Sequence, residues 1–175
     1  MKSIKNVILM IMLSVCFCTC HNEYQPVPTP PTGIGFDGNV NFQSWYTESL
    51  STPDRAVKFI SLSGPGYSNV PEFGYFSMEG SHVLFYDDNE DKIYIRDGKF
   101  RINGAGKIAL TGIYKGTGSC KEEMFLSELE FTIQGGEINF RGATGTFTGT
   151  LRSSSLDPES LNLDFNGRII TVEQE

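Results

Sequence analysis

What most limits the folds open to this chain is a repeat of two. Val40 and Phe42 alternate with Asn41 and Gln43, while Phe147, Gly149 and Leu151 alternate with Thr146, Thr148 and Thr150. Leu161, Leu163 and Phe165 alternate with Asn162, Asp164 and Asn166. Phe125, Leu129, Phe131 and Ile133 alternate with Leu126, Glu128, Glu130 and Thr132. Successive side chains of a strand point to opposite faces, so each run describes a strand with one face buried and one wet. No comparable helical stripe occurs. A short helical turn fits only Asp157-Pro158-Glu159-Ser160, where an Asp precedes a Pro suited to a first helical position.

Twelve segments read as strands: 38–46, 56–62, 72–78, 81–87, 92–96, 99–102, 107–116, 124–134, 138–140, 146–152, 161–166 and 168–172. Several must merge, leaving about eight or nine. Asp97-Gly98, Asn103-Gly104 and Asn166-Gly167 each stand between strand formers and read as hairpin turns. Many short strands with Gly-rich connections predict a barrel or sandwich, and closure into a barrel removes exposed edges. The expected fold is therefore all-β, a single antiparallel β-barrel of about eight strands. A length of 175 residues suits one domain and buries a core without a disulfide or metal staple. The barrel is not expected to span a membrane, because its alternate positions carry Glu, Asn, Lys and Asp where lipid would demand apolar side chains.

The N-terminus is different in kind. Residues 1–6 carry Lys2 and Lys5 and no acid, and residues 7–18 (VILMIMLSVCFC) are apolar except for Ser14. That run is shorter than the roughly 20 residues of a spanning helix, and a basic start before a short apolar core is the pattern of a secretory signal peptide. In place of a small-residue cleavage site stand Cys16, Cys18 and Cys20. This end resembles bacterial lipoprotein signal peptides, in which a Cys closing the apolar run is lipidated and becomes the first residue. The resemblance implies lipidation of Cys20, which follows the small Thr19 and precedes polar His21-Asn22-Glu23, with Cys16 and Cys18 as alternatives. It also implies a cell-envelope, outer-membrane lipoprotein held at the membrane by that anchor. Durable anchoring takes more than one acyl chain, which a diacylglycerol supplies. Residues 24–32 (YQPVPTPPT) contain Pro26, Pro28, Pro30 and Pro31 and read as an extended, semi-rigid spacer. All 19 glycines lie at or after Gly33. The expected division is a signal peptide over 1–19, a lipidated Cys and tether over 20–33, and a barrel over 34–175.

Charge and chemistry exclude several classes. The formal charge is −7, with 14 Lys+Arg against 21 Asp+Glu, so the cationic footprint of a nucleic-acid binder is missing. Removing residues 1–19 takes two lysines with it and leaves the remainder more acidic still. With Cys20 lipidated, Cys120 is the one cysteine of the domain, in a turn-like Gly118-Ser119-Cys120-Lys121, and it reads as an unpaired thiol. Neither G-x-S-x-G nor HExxH occurs. Asp87-Asp88-Asn89-Glu90-Asp91 begins like a calcium loop, but Lys92 stands where that loop needs Gly and Gly98 where it needs Glu. It reads as a solvated hairpin tip. No cofactor and no metal are implied.

The segment 131–150 reads FTIQGGEINFRGATGTFTGT. It resembles a motif of small secreted bacterial proteins in the allene oxide cyclase and dirigent barrel group, which carry a GGTG-x-F-x-GATG run. Gly135-Gly136, Phe140 and Gly142-Ala143-Thr144-Gly145 fall on that pattern, while Glu137 and Ile138 replace its Thr-Gly. Phe73-Gly74-Tyr75-Phe76-Ser77, Asn103-Gly104 and Gly116-Thr117-Gly118 are similar to the group's preceding strands. Apart from the resemblance, paired glycines suit a coiled sheet that turns corners, with Phe140 between two Gly clusters plugging the interior and the Gly142–Gly145 run as a structural turn. The resemblance carries no catalytic residue onto this chain.

His82, the single His of the domain, shares parity with Met78 and Leu84 and belongs on the apolar face of its strand. With Trp45, Tyr75 and Tyr114 it makes up the ligand-binding candidates, on the expectation that aromatics line a barrel mouth; Tyr46, Tyr86 and Tyr94 belong to the same group. In a β domain such rings are first of all core and cross-strand packing. Three readings stay open. The first is a lipid-anchored, non-enzymatic binding or interaction module for a small apolar or carbohydrate ligand. The second is a cyclase- or isomerase-like enzyme with an apolar barrel pocket. The third is a purely structural surface protein with a protein partner. The state of the barrel interior separates them, because an enzyme of that kind needs an enclosed cavity and a filled barrel has none.

Overall fold

The computed structural model describes residues 32–52, 55–71, 73–87, 92–104, 109–121, 124–153 and 159–171. They belong to a compact unit spanning Pro31–Glu175. Residues 1–31, with Cys16, Cys18, Cys20 and the prolines of the tether, lie outside the described residues, as do most of the acidic tip (88–91) and the helical turn expected around Pro158. The strands are β1 (Thr32–Thr52), β2 (Arg55–Ser68), β3 (Tyr75–Asp87), β4 (Lys92–Asn103), β5 (Ala109–Lys121), β6 (Met124–Gly136), β7 (Thr144–Ser153) and β8 (Ser160–Thr171). Each pairs antiparallel with the next, and β8 pairs with β1, so the sheet closes into an eight-stranded barrel. A 3-10 helix, Ile138–Phe140, lies between β6 and β7. Thr32 and Gly33, read as tether from sequence, already pair with Thr171 and Ile170.

Parity along the strands decides what faces inward. Leu129, Phe131 and Ile133 of β6 and Leu161, Leu163 and Phe165 of β8 are buried, while Glu128, Glu130, Thr132 and Asp164 are exposed. Two of the three expected hairpin turns are not turns. Asp97-Gly98 lies inside β4 and Asn166-Gly167 inside β8; only Asn103-Gly104 ends a strand. Gly118-Ser119-Cys120-Lys121 is likewise the end of β5 rather than a turn, with Cys120 exposed and unpaired.

The reason is the way the rings are accommodated. Phe165 lies directly across from Gly38 on one side and Gly149 on the other. Phe100 lies across from Gly80 and Gly112, Tyr114 across from Gly98, Phe147 across from Gly167, and Phe76 across from Gly66. A Cβ at Gly112 would sit 2.6 Å from the Phe100 ring, and one at Gly66 would sit 2.5 Å from that of Phe76. An eight-stranded barrel is only wide enough for side chains to fill, so large residues must face small ones. Gly98 and Gly167 are sockets for rings, and the strand runs straight through them.

Those rings form a continuous stack. Tyr114 stacks on Phe131 (5.0 Å, 27°), and Phe131 on Phe147 (4.3 Å, 8°). Phe147 meets Phe36, Phe100 and Phe165, each at 5.5 Å. Phe36 meets Phe73 of the β2–β3 connection, and Phe73 meets Phe140 of the 3-10 helix at 4.8 Å. Phe140 thus plugs that end of the barrel. Gly142 and Gly145, at φ +73° and +141°, turn the chain from the plug into β7. Each aromatic contact adds about 0.5–1.5 kcal/mol beyond area burial, so the stack is a substantial part of the core's stability.

Candidate functional site

The four residues singled out from sequence do not converge. His82 and Tyr114 meet inside the barrel, Nδ1 to Oη at 2.8 Å, with both side chains buried. Trp45 is half-exposed within β1, and Tyr75, 82% exposed at the start of β3, rests its ring against Tyr67 at 5.2 Å. The side chain of Tyr46 lies outside the described residues, while Tyr94 is on the outer face. Of the four, only His82 and Tyr114 are brought together. The period of two predicted the burial of His82, but not that β5 would bring Tyr114 to it.

Burial sets the chemistry of this pair. Desolvation pushes the His82 imidazole down to about 4 and pushes the Tyr114 phenol up. Both groups are neutral around pH 7, sharing one hydrogen bond in which either can donate according to the His tautomer. A proton-transfer catalyst works best with a pKa near the operating pH and with room for substrate beside it. The void beside Tyr114, bounded by Phe42, Met78, Phe131 and Leu163 among others, is about 10 Å³. That is at most the space of a single water. His82 and Tyr114 are a satisfied polar contact within the core.

Open space lies on the outside instead. Between Ile95 and Gly98, β4 carries one residue more than β5 opposite it, and between Arg96 and Lys99 one more than β3. A single extra residue accounts for both shifts, and Asp97 there takes a positive φ of 53°. Such a bulge bends its strand and re-aims side chains. Beside it, a depression of about 420 Å³ is lined by Asp97, Lys99, Ile113, Lys115, Glu130 and Thr132. A second, of about 330 Å³, is lined by Tyr94, Arg96, Lys115, Thr117, Glu128 and Glu130. Lys115 and Glu130 line both, so the two depressions adjoin at that pair, forming a furrow across β4, β5 and β6. Lys115 Nζ pairs with Glu130 Oε2 at 3.2 Å in a strongly exposed ion pair. The Arg96 guanidinium lies 5.8 Å from the ring centroids of both Phe85 and Tyr94, within cation–π range. Among the described residues, no cluster of His, Cys, Asp or Glu could hold a metal ion.

Sequence reasoning missed this furrow. One signal was visible: Lys92, Arg96, Lys99 and Arg101 fall within the twelve residues of β4, a dense share of the 14 Lys+Arg in so acidic a chain. The bulge that places Arg96 and Lys99 on one face could not be read, because Asp97-Gly98 imitates a turn.

No protein-family model matches the chain, and no curated protein matches it in sequence. Solved structures do match. The pterocarpan synthase dirigent protein PsPTS1 is similar at a TM-score of 0.50 and 10% identity, over 85% of this chain and 99% of that one. The pterocarpan synthase dirigent protein GePTS1 is similar at a TM-score of 0.49 and 13% identity, over 87% of this chain and 91% of that one. The barrel is dirigent-like. At such identity the likeness to PsPTS1 speaks for the fold alone, and it agrees with the resemblance seen in residues 131–150.

Proposed function

We propose that this protein is a lipid-anchored, non-enzymatic binding module of the cell envelope that holds a carbohydrate in the furrow across β4, β5 and β6. The observation that carries the reading is the ring-filled interior: the void beside Tyr114 and Phe131 is about 10 Å³, while the furrow's two depressions measure about 420 and 330 Å³. Ligand sites generally occupy about 300–1,000 Å³. A cyclase- or isomerase-like pocket and a small apolar ligand both need enclosed apolar space, which the aromatic stack occupies. The synthase activity named for PsPTS1 is for that reason not carried over. The furrow offers what a sugar needs, namely hydroxyls on Thr117 and Thr132, carboxylates on Glu128 and Glu130, and the Tyr94 ring beside them. Anchoring rests on the signal sequence and Cys20, with the proline-rich tether as spacer.

Calorimetric titration of the full-length protein in detergent with oligosaccharides and fatty acids tests the binding. A saccharide is expected to bind, to be lost with Tyr94→Ala and to be kept with Trp45→Ala. If no saccharide binds, the purely structural reading replaces this one; a fatty acid held equally by Tyr94→Ala would move the site off the furrow. Cys20→Ala is expected to shift the protein from the membrane to the soluble fraction, and unchanged partition overturns the anchor.

A further inference from the structure

The furrow is not chemically uniform, and the difference between its walls indicates which sugars it takes. Its β4 and β5 side presents Arg96, Lys99 and Lys115 with Asp97 at the bulge between them, while its β6 side presents Glu128 and Glu130. The cations are the exceptional part, since the chain as a whole carries −7. Lys99 makes no ion pair among the described residues. Arg96 rests on Phe85 and Tyr94. A guanidinium held against a ring keeps its N–H donors in a fixed fork that matches a carboxylate, and part of its side-chain entropy is already lost before binding. Lys115 has only the exposed contact with Glu130, and an exposed pair of this kind holds at most about 1 kcal/mol. An incoming carboxylate can share or replace it at little cost.

Resting on the carbohydrate reading above, we infer that the ligand is an acidic polysaccharide, a chain of carboxylated sugars whose carboxylates meet Arg96, Lys99 and Lys115 and whose hydroxyls donate to Glu128 and Glu130. Both walls are needed for this assignment. A neutral glycan leaves Arg96 and Lys99 without a partner of opposite charge among the described residues. Carboxylated sugars present anions and hydroxyl donors together, and each carboxylate of β6 retains acceptor sites beyond its present bond. Glu130 uses one oxygen on Lys115, and Glu128 shares the one Thr150 hydroxyl between its two oxygens, at 3.1 and 3.2 Å.

The test titrates the full-length protein in detergent with an oligouronate and with the same oligosaccharide after carboxyl reduction to its neutral form. The oligouronate is expected to bind roughly tenfold or more tightly, the worth of one charge-assisted hydrogen bond. Lys99→Gln and Arg96→Gln, both at exposed positions, should each weaken it by a similar factor, Arg168→Gln on β8 should not, and added salt should weaken it further. Equal binding of both forms, or binding of the neutral form alone, overturns the acidic assignment while leaving a carbohydrate furrow. Binding of neither overturns the furrow reading itself. Should the Arg96 variant unfold, Lys99→Glu titrated with the oligouronate decides the same point through charge repulsion, with weaker binding expected and unchanged binding overturning the assignment.

Discussion

The two sides of this barrel are built to different standards of regularity. From β6 through β7 and β8 to β1, three ladders run without a register shift. From β3 through β4 and β5 to β6, every ladder is shifted: between Ser81 and Val83, between Ile95 and Gly98, and between Thr111 and Gly112. The outer faces follow suit. On the regular wall polar side chains bond to one another, with Asn162 Nδ2 donating to Asn41 Oδ1 at 2.9 Å, Arg152 reaching Asp164 at 2.6 Å, and Thr150 reaching Glu128. On the shifted wall Lys115 pairs with Glu130 and Arg101 with Glu137, but Arg96 rests on rings and Lys99 makes no ion pair among the described residues. Regular pairing brings outward residues of neighbouring strands face to face, where they satisfy each other. An extra residue staggers them and opens a furrow. The inner faces, by contrast, share one stack of rings, so the two walls differ in surface and agree in core.

The largest effect should come from breaking what the walls share. Phe147→Ala, on the regular wall, removes the ring that stacks on Phe131, and a loss of about 3–5 kcal/mol is expected by denaturant titration. A loss below about 1 kcal/mol would mean that the interior is not a packed core.

Next comes a pH effect seated in the shifted wall. His82, at about 4 when folded against an ordinary 6.5, is held neutral by burial. As pH falls through 6.5 the unfolded chain takes up a proton that the folded one refuses, so stability falls from there down to about pH 4. The total over that window is about 3 kcal/mol. His82→Gln should flatten the slope between those limits, measured as midpoint against pH. An unchanged slope would show that His82 is not the group responsible.

A smaller cost, about 1–3 kcal/mol, is expected for Gly112→Ala, which presses a methyl against the Phe100 ring and the Thr132 carbonyl. A neutral outcome would mean that the shifted wall yields where the regular one does not, with Gly149→Ala, against Leu163 and Phe165, as its counterpart.

The smallest change has the opposite sign. Ile138 holds φ +51°, a region costly for a β-branched residue, while its side chain is half-exposed. Ile138→Gly should therefore stabilise the protein by about 1 kcal/mol, the strain relieved less the extra entropy of the unfolded glycine. A lower melting temperature would show that the exposed isoleucine holds the plug in place.

Ile138 also shows how far the sequence could be read. The motif resemblance places a glycine at this position, and the backbone keeps a glycine-like conformation although the residue has changed. The twelve strand segments reduce to eight strands because 72–78 and 81–87, 92–96 and 99–102, and 161–166 and 168–172 each merge, while 138–140 is the 3-10 helix. Each of the three breaks falls at a glycine, singly or in a turn dipeptide. Glycine is permissive in turns and also the smallest side chain, and the sequence does not say which property is in use. The same ambiguity hid the bulge at Asp97 and, with it, the furrow.

The sequence by itself determined an all-β chain with one wet and one buried face per strand, an inward-facing His82 and an interior rich in phenylalanine. Alternation of period two is a local property, and each strand carries it whatever its neighbours are. Only the tertiary structure decided that rings fill the interior among the described residues, that His82 meets Tyr114, and that a furrow opens on the outside. Those outcomes depend on which glycine stands across from which ring. Cross-strand register belongs to the closed sheet, and no single strand contains it.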